Sequence, residues 1–245
     1  MKQTKIIMGM PITVEIVGAQ ESAPFTKVFS YFRQIDRRFS PYKEQSELSK
    51  YNHSKVKTKL SPDMEEVLAL CAQTKELSGG YFDITRSDGT IDSSGLVKGW
   101  AIDNAAKMLK SEGFSNFYVE AGGDIQAEGF NDQDEPWAIG IRNPFKQEEI
   151  VKAIKLSGMG VATSGTYIRG EHIYDPLNNY QSPKNVASLT VIGPNIFEAD
   201  RFATAAFAMG EKGVSFIASL PGFEAYQINN VGRATFTQGF NSYVV

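Results

Sequence analysis

Asp200 and Thr204 stand four residues apart in the run Glu198-Ala199-Asp200-Arg201-Phe202-Ala203-Thr204. On a helix that spacing puts a carboxylate and a hydroxyl on one face, where both can be presented to a single point. Oxygen donors of this kind suit magnesium, which takes near-octahedral oxygen ligation and commonly also touches substrate phosphates. An Asp near a helix start also serves as a cap or as a partner of the helix dipole, and spacing alone leaves both roles open. A second cluster runs from Asp92 through Ser93, Ser94, Gly95 and Lys98 to Asp103. A small, glycine-bearing turn entering a helix leaves backbone N–H groups free for an anion, and Lys98 adds a charge. The same pattern also describes a capped helix start. Ala121-Gly122-Gly123-Asp124 reads as a tight hairpin turn or a place of close ligand approach. Glu171-His172-Ile173-Tyr174-Asp175-Pro176 holds one of two histidines, the side chain best able to exchange a proton near neutral pH. The other, His53, is expected to face solvent.

These residues need elements to position them. Ile12, Val14 and Ile16 alternate with Thr13 and Glu15 as in a half-buried strand within residues 6–17. Phe25, Val28, Phe29, Phe32, Ile35 and Phe39 recur at helical spacing and stop before Ser40-Pro41. Ser61-Pro62-Asp63 opens a second helix that Gly79-Gly80 ends, and residues 97–112 form a third. Short strands are expected at 117–119, 125–128, 137–142, 150–155, 161–163 and 188–192, with a loop-rich stretch over 165–184. Helices near 199–209 and 213–220 lead to closing strands near 225–228, 234–237 and 243–245. Strands broken by helices without regular alternation favour an α+β architecture of mixed or antiparallel sheet with packed helices. No repeat, low-complexity tract or linker divides the chain, so residues 1–245 read as one integrated unit.

The bulk composition narrows the partners. A chain that is 42% hydrophobic and 22% charged has ordinary globular composition. Its net charge of -3, with the basic residues scattered, gives a nucleic acid little to attract it. The one cysteine, Cys71, sits at an apolar helix position and reads as a core thiol. No run approaches the roughly 20 apolar residues of a membrane span. The first residues are too short an apolar run for an export signal, so a cytoplasmic location is expected.

Taken in order, eight signatures resemble the ApbE-like FAD:protein FMN transferases from about Met8 to the C terminus. They begin with Met8-Gly9, Ser40-Pro41-Tyr42 followed by Ser46-Glu47-Leu48, Gly80-Tyr81-Phe82-Asp83-Ile84-Thr85 and the block from Asp92 to Asp103. Gly122-Gly123-Asp124, Thr163-Ser164-Gly165, His172-Ile173-Tyr174-Asp175-Pro176 and the stretch from Ala199-Asp200 to Thr204 complete the set. The resemblance implies a magnesium-dependent transfer of FMN from FAD to a threonine or serine hydroxyl of an acceptor protein, with release of AMP. It implies a metal held by Asp200, Thr204 and a backbone oxygen of Gly95. Flavin contacts fall on Met8, Tyr42, Tyr81, Phe82, Asp83, Asp92, Lys98 and Tyr174, and His172 takes either acid/base or substrate-positioning duty. Many relatives carry additional segments after the Phe-Asp-Ile-Thr motif, whereas here Arg86-Ser87-Asp88-Gly89-Thr90 leads directly to Ile91-Asp92. Many are also lipoproteins with an N-terminal cysteine, which is lacking here, so an intracellular acceptor is implied. Two alternatives use the same residues: a pyrophosphatase that splits FAD with water, giving FMN and AMP, and a non-catalytic FAD-binding protein.

Overall fold

The computed structural model describes residues 1–54, 59–166 and 173–245. The chain opens with β1 (Lys2–Ile7) and β2 (Met10–Ile16), followed by α1 (Ala23–Phe39), α2 (Glu47–His53), α3 (Pro62–Leu77) and α4 (Ser94–Ser111). Strands β3 (Phe117–Ala121), β4 (Asp124–Glu128), β5 (Trp137–Asn143), β6 (Lys146–Leu156), β7 (Met159–Gly165) and β8 (Val186–Gly193) come next. The last third holds α5 (Ile196–Ala208), α6 (Gly213–Ala218), β9 (Glu224–Asn229) and β10 (Ala234–Phe236).

Eight strands form one sheet in the order β1-β2-β3-β4-β7-β8-β9-β10, and each neighbouring pair is antiparallel. The expected α+β class therefore holds, with the sheet antiparallel rather than mixed. Strand alternation sends Ile12, Val14 and Ile16 to one face, where they meet Phe25, Phe29 and Phe32 of α1, Trp100 and Ile102 of α4, and Phe207 of α5. On the other face the β5–β6 hairpin lays Trp137, Ile139, Ile154 and Leu156 against Ala127, Val161, Ile192 and Tyr226. Covered on both faces, β8 is buried along its whole length. Its residues divide accordingly, with Leu189 and Val191 in the helix-side core and Ile192 in the other.

Two elements had no expectation. Strand β1 buries only Ile7, so it carries no alternating apolar signal. Helix α2 spans two turns and buries only Leu48 and Ser49. The closing strand expected at 243–245 is absent: residues Phe240–Tyr243 form a 3-10 turn, and only Val244 makes an isolated bridge, to Ile154. Phe240 is buried there against the rings of Tyr226 and Phe236, and that apolar anchor favours a turn over an added strand. Cys71 lies on the buried side of α3, and burial pushes its thiol up to about 12. Among the described residues no helix is long and apolar enough to cross a membrane.

Candidate active site

Helices α4 and α5 cross through glycine. On α4, Gly95 and Gly99 are one turn apart; on α5, Asp200 and Thr204 are likewise, and the two pairs face each other. A Cβ on Gly99 would lie 2.5 Å from the Asp200 Cβ, and one on Gly95 would lie 3.0 Å from the Thr204 Cγ2. Only hydrogen on α4 at both positions lets the backbones approach this closely. The approach is used for hydrogen bonding: Gly99 N–H donates to Asp200 Oδ2 at 2.7 Å, and Thr204 Oγ1 donates to the Gly95 carbonyl at 3.1 Å. Capping of α5 falls to Asn195, whose side chain accepts from Glu198 N–H at 2.9 Å. Asp200 lies further along the helix, 3% exposed, and so is not the cap.

A cavity opens where α4 begins. Tyr42, Tyr81, Phe82, Asp83, Asp92, Gly95, Tyr174 and Thr204 line it, joined by Ile84, Ser94 and Ile173. Eight of the residues singled out in the sequence thus meet at one place, although they come from five stretches of chain. Asp92 accepts from Ser94 N–H at 3.0 Å and pairs with Arg86, so it fixes the turn into α4. Ser93, the residue before the helix, makes no side-chain cap. The stretch joining Thr85 to Ile91 closes as a short bridge, with Arg86 N–H donating to Thr90 O at 2.7 Å. Tyr174 is half-buried beside the cavity, and its hydroxyl is pushed up to about 12 by burial, with the Asp92 charge adding to it. Burial alone would raise Asp83, but Lys75 at 2.6 Å and the Thr85 N–H at 2.9 Å outweigh it and hold the carboxyl below its ordinary value.

The remaining expected residues sit elsewhere. Met8 and Gly9 form the two-residue turn between β1 and β2, both at positive φ, and Met8 packs against the apolar core. Gly122 and Gly123, with φ of 60° and 97°, make the equivalent turn between β3 and β4, the hairpin geometry that favours glycine. The two turns lie side by side, Gly122 N–H donating to Pro11 O at 3.1 Å. Lys98 is not among the cavity-lining residues; it forms an ion pair with Asp124, and its Nζ lies 3.6 Å from Asp200 Oδ1. His172 lies outside the described residues; the two residues after it, Ile173 and Tyr174, line the cavity.

Asp124 is the site-adjacent residue that sequence reasoning left unassigned. It is 1% exposed and accepts from Thr163 N–H at 3.0 Å. The signal was its place directly after two glycines, which read as a hairpin turn or a place of close ligand approach and gave Asp124 itself no role. Asp124, Gln126 and Glu128 alternate along β4, and all three turn toward the helices. Gln126 accepts from Ile196 N–H at 2.7 Å, and Glu128 pairs with Lys110 of α4 at 2.6 Å. Burial pushes the Asp200 carboxyl up to about 7, with Lys98 opposing that rise and the nearby Asp124 carboxylate adding to it.

Among the described residues no group of three or more His, Cys, Asp and Glu side chains gathers for a metal. The donors present at the α4–α5 crossing are of another kind: one carboxylate, one hydroxyl and one backbone oxygen, all hard oxygens. Two buried carboxyls share the Lys98 ammonium, a surplus of acidic groups that a proton or a cation would offset. On both counts the residues suit a hard divalent ion.

The model of the ApbE family matches residues 8–88 and 85–227. An Escherichia coli protein named FAD:protein FMN transferase is 28% identical over 204 aligned residues, covering 75% of this chain and 58% of that protein. A Haemophilus influenzae protein of the same name is 24% identical and covers 99% of this chain and 92% of its own length. The solved structure of the flavin transferase ApbE from Vibrio cholerae superposes with a TM-score of 0.87 at 23% identity, covering 99% of this chain and 98% of that one. The ApbE protein of Thermotoga maritima gives 0.86 at 22% identity, with 99% and 98% covered. At such identities the structures establish the fold, the family model establishes descent, and the chain belongs to the ApbE family.

Proposed function

We propose that this chain takes FAD as substrate and transfers its FMN half to a threonine or serine hydroxyl of an acceptor protein in a magnesium-dependent reaction. The supporting observation is the convergence of Tyr42, Tyr81, Phe82, Asp83, Asp92, Tyr174, Gly95 and Thr204 on one cavity beside a buried, oxygen-lined helix crossing. Aromatic faces there suit the flat rings of a flavin, and the crossing suits its pyrophosphate. In the reaction the acceptor oxygen bonds to the phosphorus of the FMN half, the bond to the bridging oxygen breaks, AMP leaves and the hydroxyl gives up its proton. A magnesium ion held by Asp200, Thr204 and the Gly95 carbonyl would neutralise charge building on the phosphate oxygens. Tyr42, Tyr81 and Phe82 bind the rings, Asp92 keeps the entrance to α4 in shape, and Asp83 and Tyr174 close the polar edge. His172, two residues before Tyr174 in sequence, accepts the proton of the incoming hydroxyl. Met8 and Lys98 act from behind, Met8 through the turn that abuts Gly122 and Lys98 through the two aspartates. We read residues 1–245 as one unit with a cytoplasmic location.

The test is mass spectrometry of candidate acceptor proteins after incubation with this chain, FAD and magnesium. A mass gain of one FMN group on a Thr or Ser peptide supports transfer. Free FMN and AMP with unmodified acceptor would assign the chain to FAD hydrolysis instead, and bound but intact FAD would leave it a carrier.

A further inference from the structure

Behind the cavity, three charges from three elements meet: Lys98 of α4, Asp124 of β4 and Asp200 of α5. We propose that Asp124 is a positioning residue that sets the cation affinity of Asp200 by holding the Lys98 ammonium away from it. This inference rests on the reading of Asp200, Thr204 and Gly95 as a magnesium site.

The geometry carries it in three steps. Asp124 is fixed in place, since it closes the Gly122-Gly123 turn and accepts from Thr163 N–H of the adjoining strand at 3.0 Å. A carboxylate buried this completely is costly unless paired, and Lys98 is the cation it meets. Lys98 stands closer to Asp124 than to Asp200, from which its Nζ is 3.6 Å distant. Asp200 therefore shares that ammonium at longer range, and its other oxygen accepts the neutral Gly99 N–H at 2.7 Å. Two carboxyls against one ammonium leave one acidic group over, and it is Asp200, which faces Thr204 and Gly95 across the helix crossing. If Asp124 loses its charge, Asp200 becomes the carboxylate of this group left for Lys98. The ammonium then closes on Asp200, and an incoming divalent ion has to displace it.

The experiment uses the whole chain, freed of metal and without flavin, with Mn2+ as the probe and the electron paramagnetic resonance signal of free Mn2+ as the readout. Asp124→Asn should weaken Mn2+ binding by roughly 10–100-fold, the range typical for partners that orient metal ligands. Lys98→Met should bind Mn2+ at least as tightly as the wild type, because the competing ammonium is gone. Asp124→Asn combined with Lys98→Met should bind it more tightly than Asp124→Asn alone. A merely structural role for Asp124 would not give that recovery. Unchanged binding in Asp124→Asn, or a double variant as weak as Asp124→Asn, overturns the inference. Should Asp124→Asn fail to fold, Lys98→Met decides, and weaker binding than the wild type overturns it. Failure of the wild type itself to take up Mn2+ overturns the magnesium reading together with this inference, whereas wild-type binding that Asp124→Asn leaves unmoved overturns this inference alone.

Discussion

The cavity has two unlike sides. Its inner wall, the crossing of α4 and α5, is buried and tightly packed, with Asp200 3% exposed and Gly99 leaving no room for an added Cβ. Its rim is built from Tyr42, residues 81–84 with Asp92, and Ile173 with Tyr174, and Tyr42 is 91% exposed. Charges on the wall sit in low dielectric and are pre-set by backbone, so they act strongly on charge that develops in a reaction. Charges on the rim, such as Lys75 with Asp83, are screened by water and hold shape more than they hold energy. The difference teaches where rate and affinity reside: substitutions in the wall should cost turnover, and substitutions on the rim should cost flavin binding.

His172 offers the sharpest way to break that division, because it directly precedes the rim residues Ile173 and Tyr174 in sequence yet is assigned to proton transfer. His172→Ala should lower turnover at saturating FAD by about 10²- to 10⁴-fold while the protein still binds FAD. His53→Ala, at the exposed end of α2, should behave as wild type. A His172→Ala rate and pH profile matching wild type across pH 5.5 to 8.5 would return the rim to binding alone. Asp200→Ala tests the wall directly: turnover should fall by about 10²- to 10³-fold with FAD affinity changed only a few-fold. A flavin titration paired with a turnover assay separates these outcomes, and intact turnover would remove Asp200 from the chemistry.

Gly99→Ala sharpens the comparison without removing any functional group. Its new Cβ would stand 2.8 Å from the Ile196 carbonyl as well as 2.5 Å from Asp200, so α5 must shift. Overpacking of this kind costs about 1–3 kcal/mol, and a misplacement near 1 Å can cost about 10²-fold in rate. Gly95→Ala should do less, because its neighbours at 3.0 and 3.3 Å are the side chains of Thr204 and Phe82 rather than backbone. Melting curves and turnover for the two variants rank them, and equal effects would contradict a crossing set by Gly99.

These contacts also mark the limit of what the sequence made legible. Helices were readable in general, since α1 and α3 repeat apolar residues at helical spacing and end at serine, and α5, one side of the wall, stops just before Gly210. Asp200 and Thr204 were legible as a pair because they share one helix. Their partners were not, because Gly99 and Asp200 lie 101 residues apart and no local spacing encodes a crossing. Asp124 was hidden for a second reason. Along β4 the polar residues Asp124, Gln126 and Glu128 face the helices, against the usual rule that the apolar face turns inward. Ile125 and Ala127 instead pack toward the β5–β6 hairpin. Strand β1 escaped notice because an edge strand with one buried residue has no pattern to display.

On the rim, Tyr42→Ala should leave the melting temperature unchanged, because a side chain this exposed contributes no packing to lose. Loss of one aromatic face should weaken FAD by up to about tenfold, equivalent to about 1.4 kcal/mol, with turnover at saturation close to wild type. Fluorescence titration of FAD checks the first quantity and a saturated assay the second. A large loss of saturated rate would mean that Tyr42 orients the reacting phosphate, and the rim would no longer be a binding surface only.

The smallest effect belongs to the Lys75–Asp83 pair, and it tests screening itself. Asp83 is held below its ordinary carboxylate value, so it contributes stability above the unfolded value near pH 4 and loses it as pH falls through the folded value. Lys75→Met removes the main group holding it down and lets burial raise the carboxyl instead. Because Lys75 is 53% exposed, the loss at pH 7 should stay under about 1 kcal/mol, or roughly 2–4 °C in melting temperature. The gap between variant and wild type should close in acid, where Asp83 is protonated in both, and should narrow in high salt at pH 7. Melting curves at pH 7 and at a series of falling pH values, with and without added salt, measure both changes. A gap that survives acid and salt alike would mean that Lys75 acts through packing of its methylenes, and this rim contact would then resemble the wall, where position rather than charge decides.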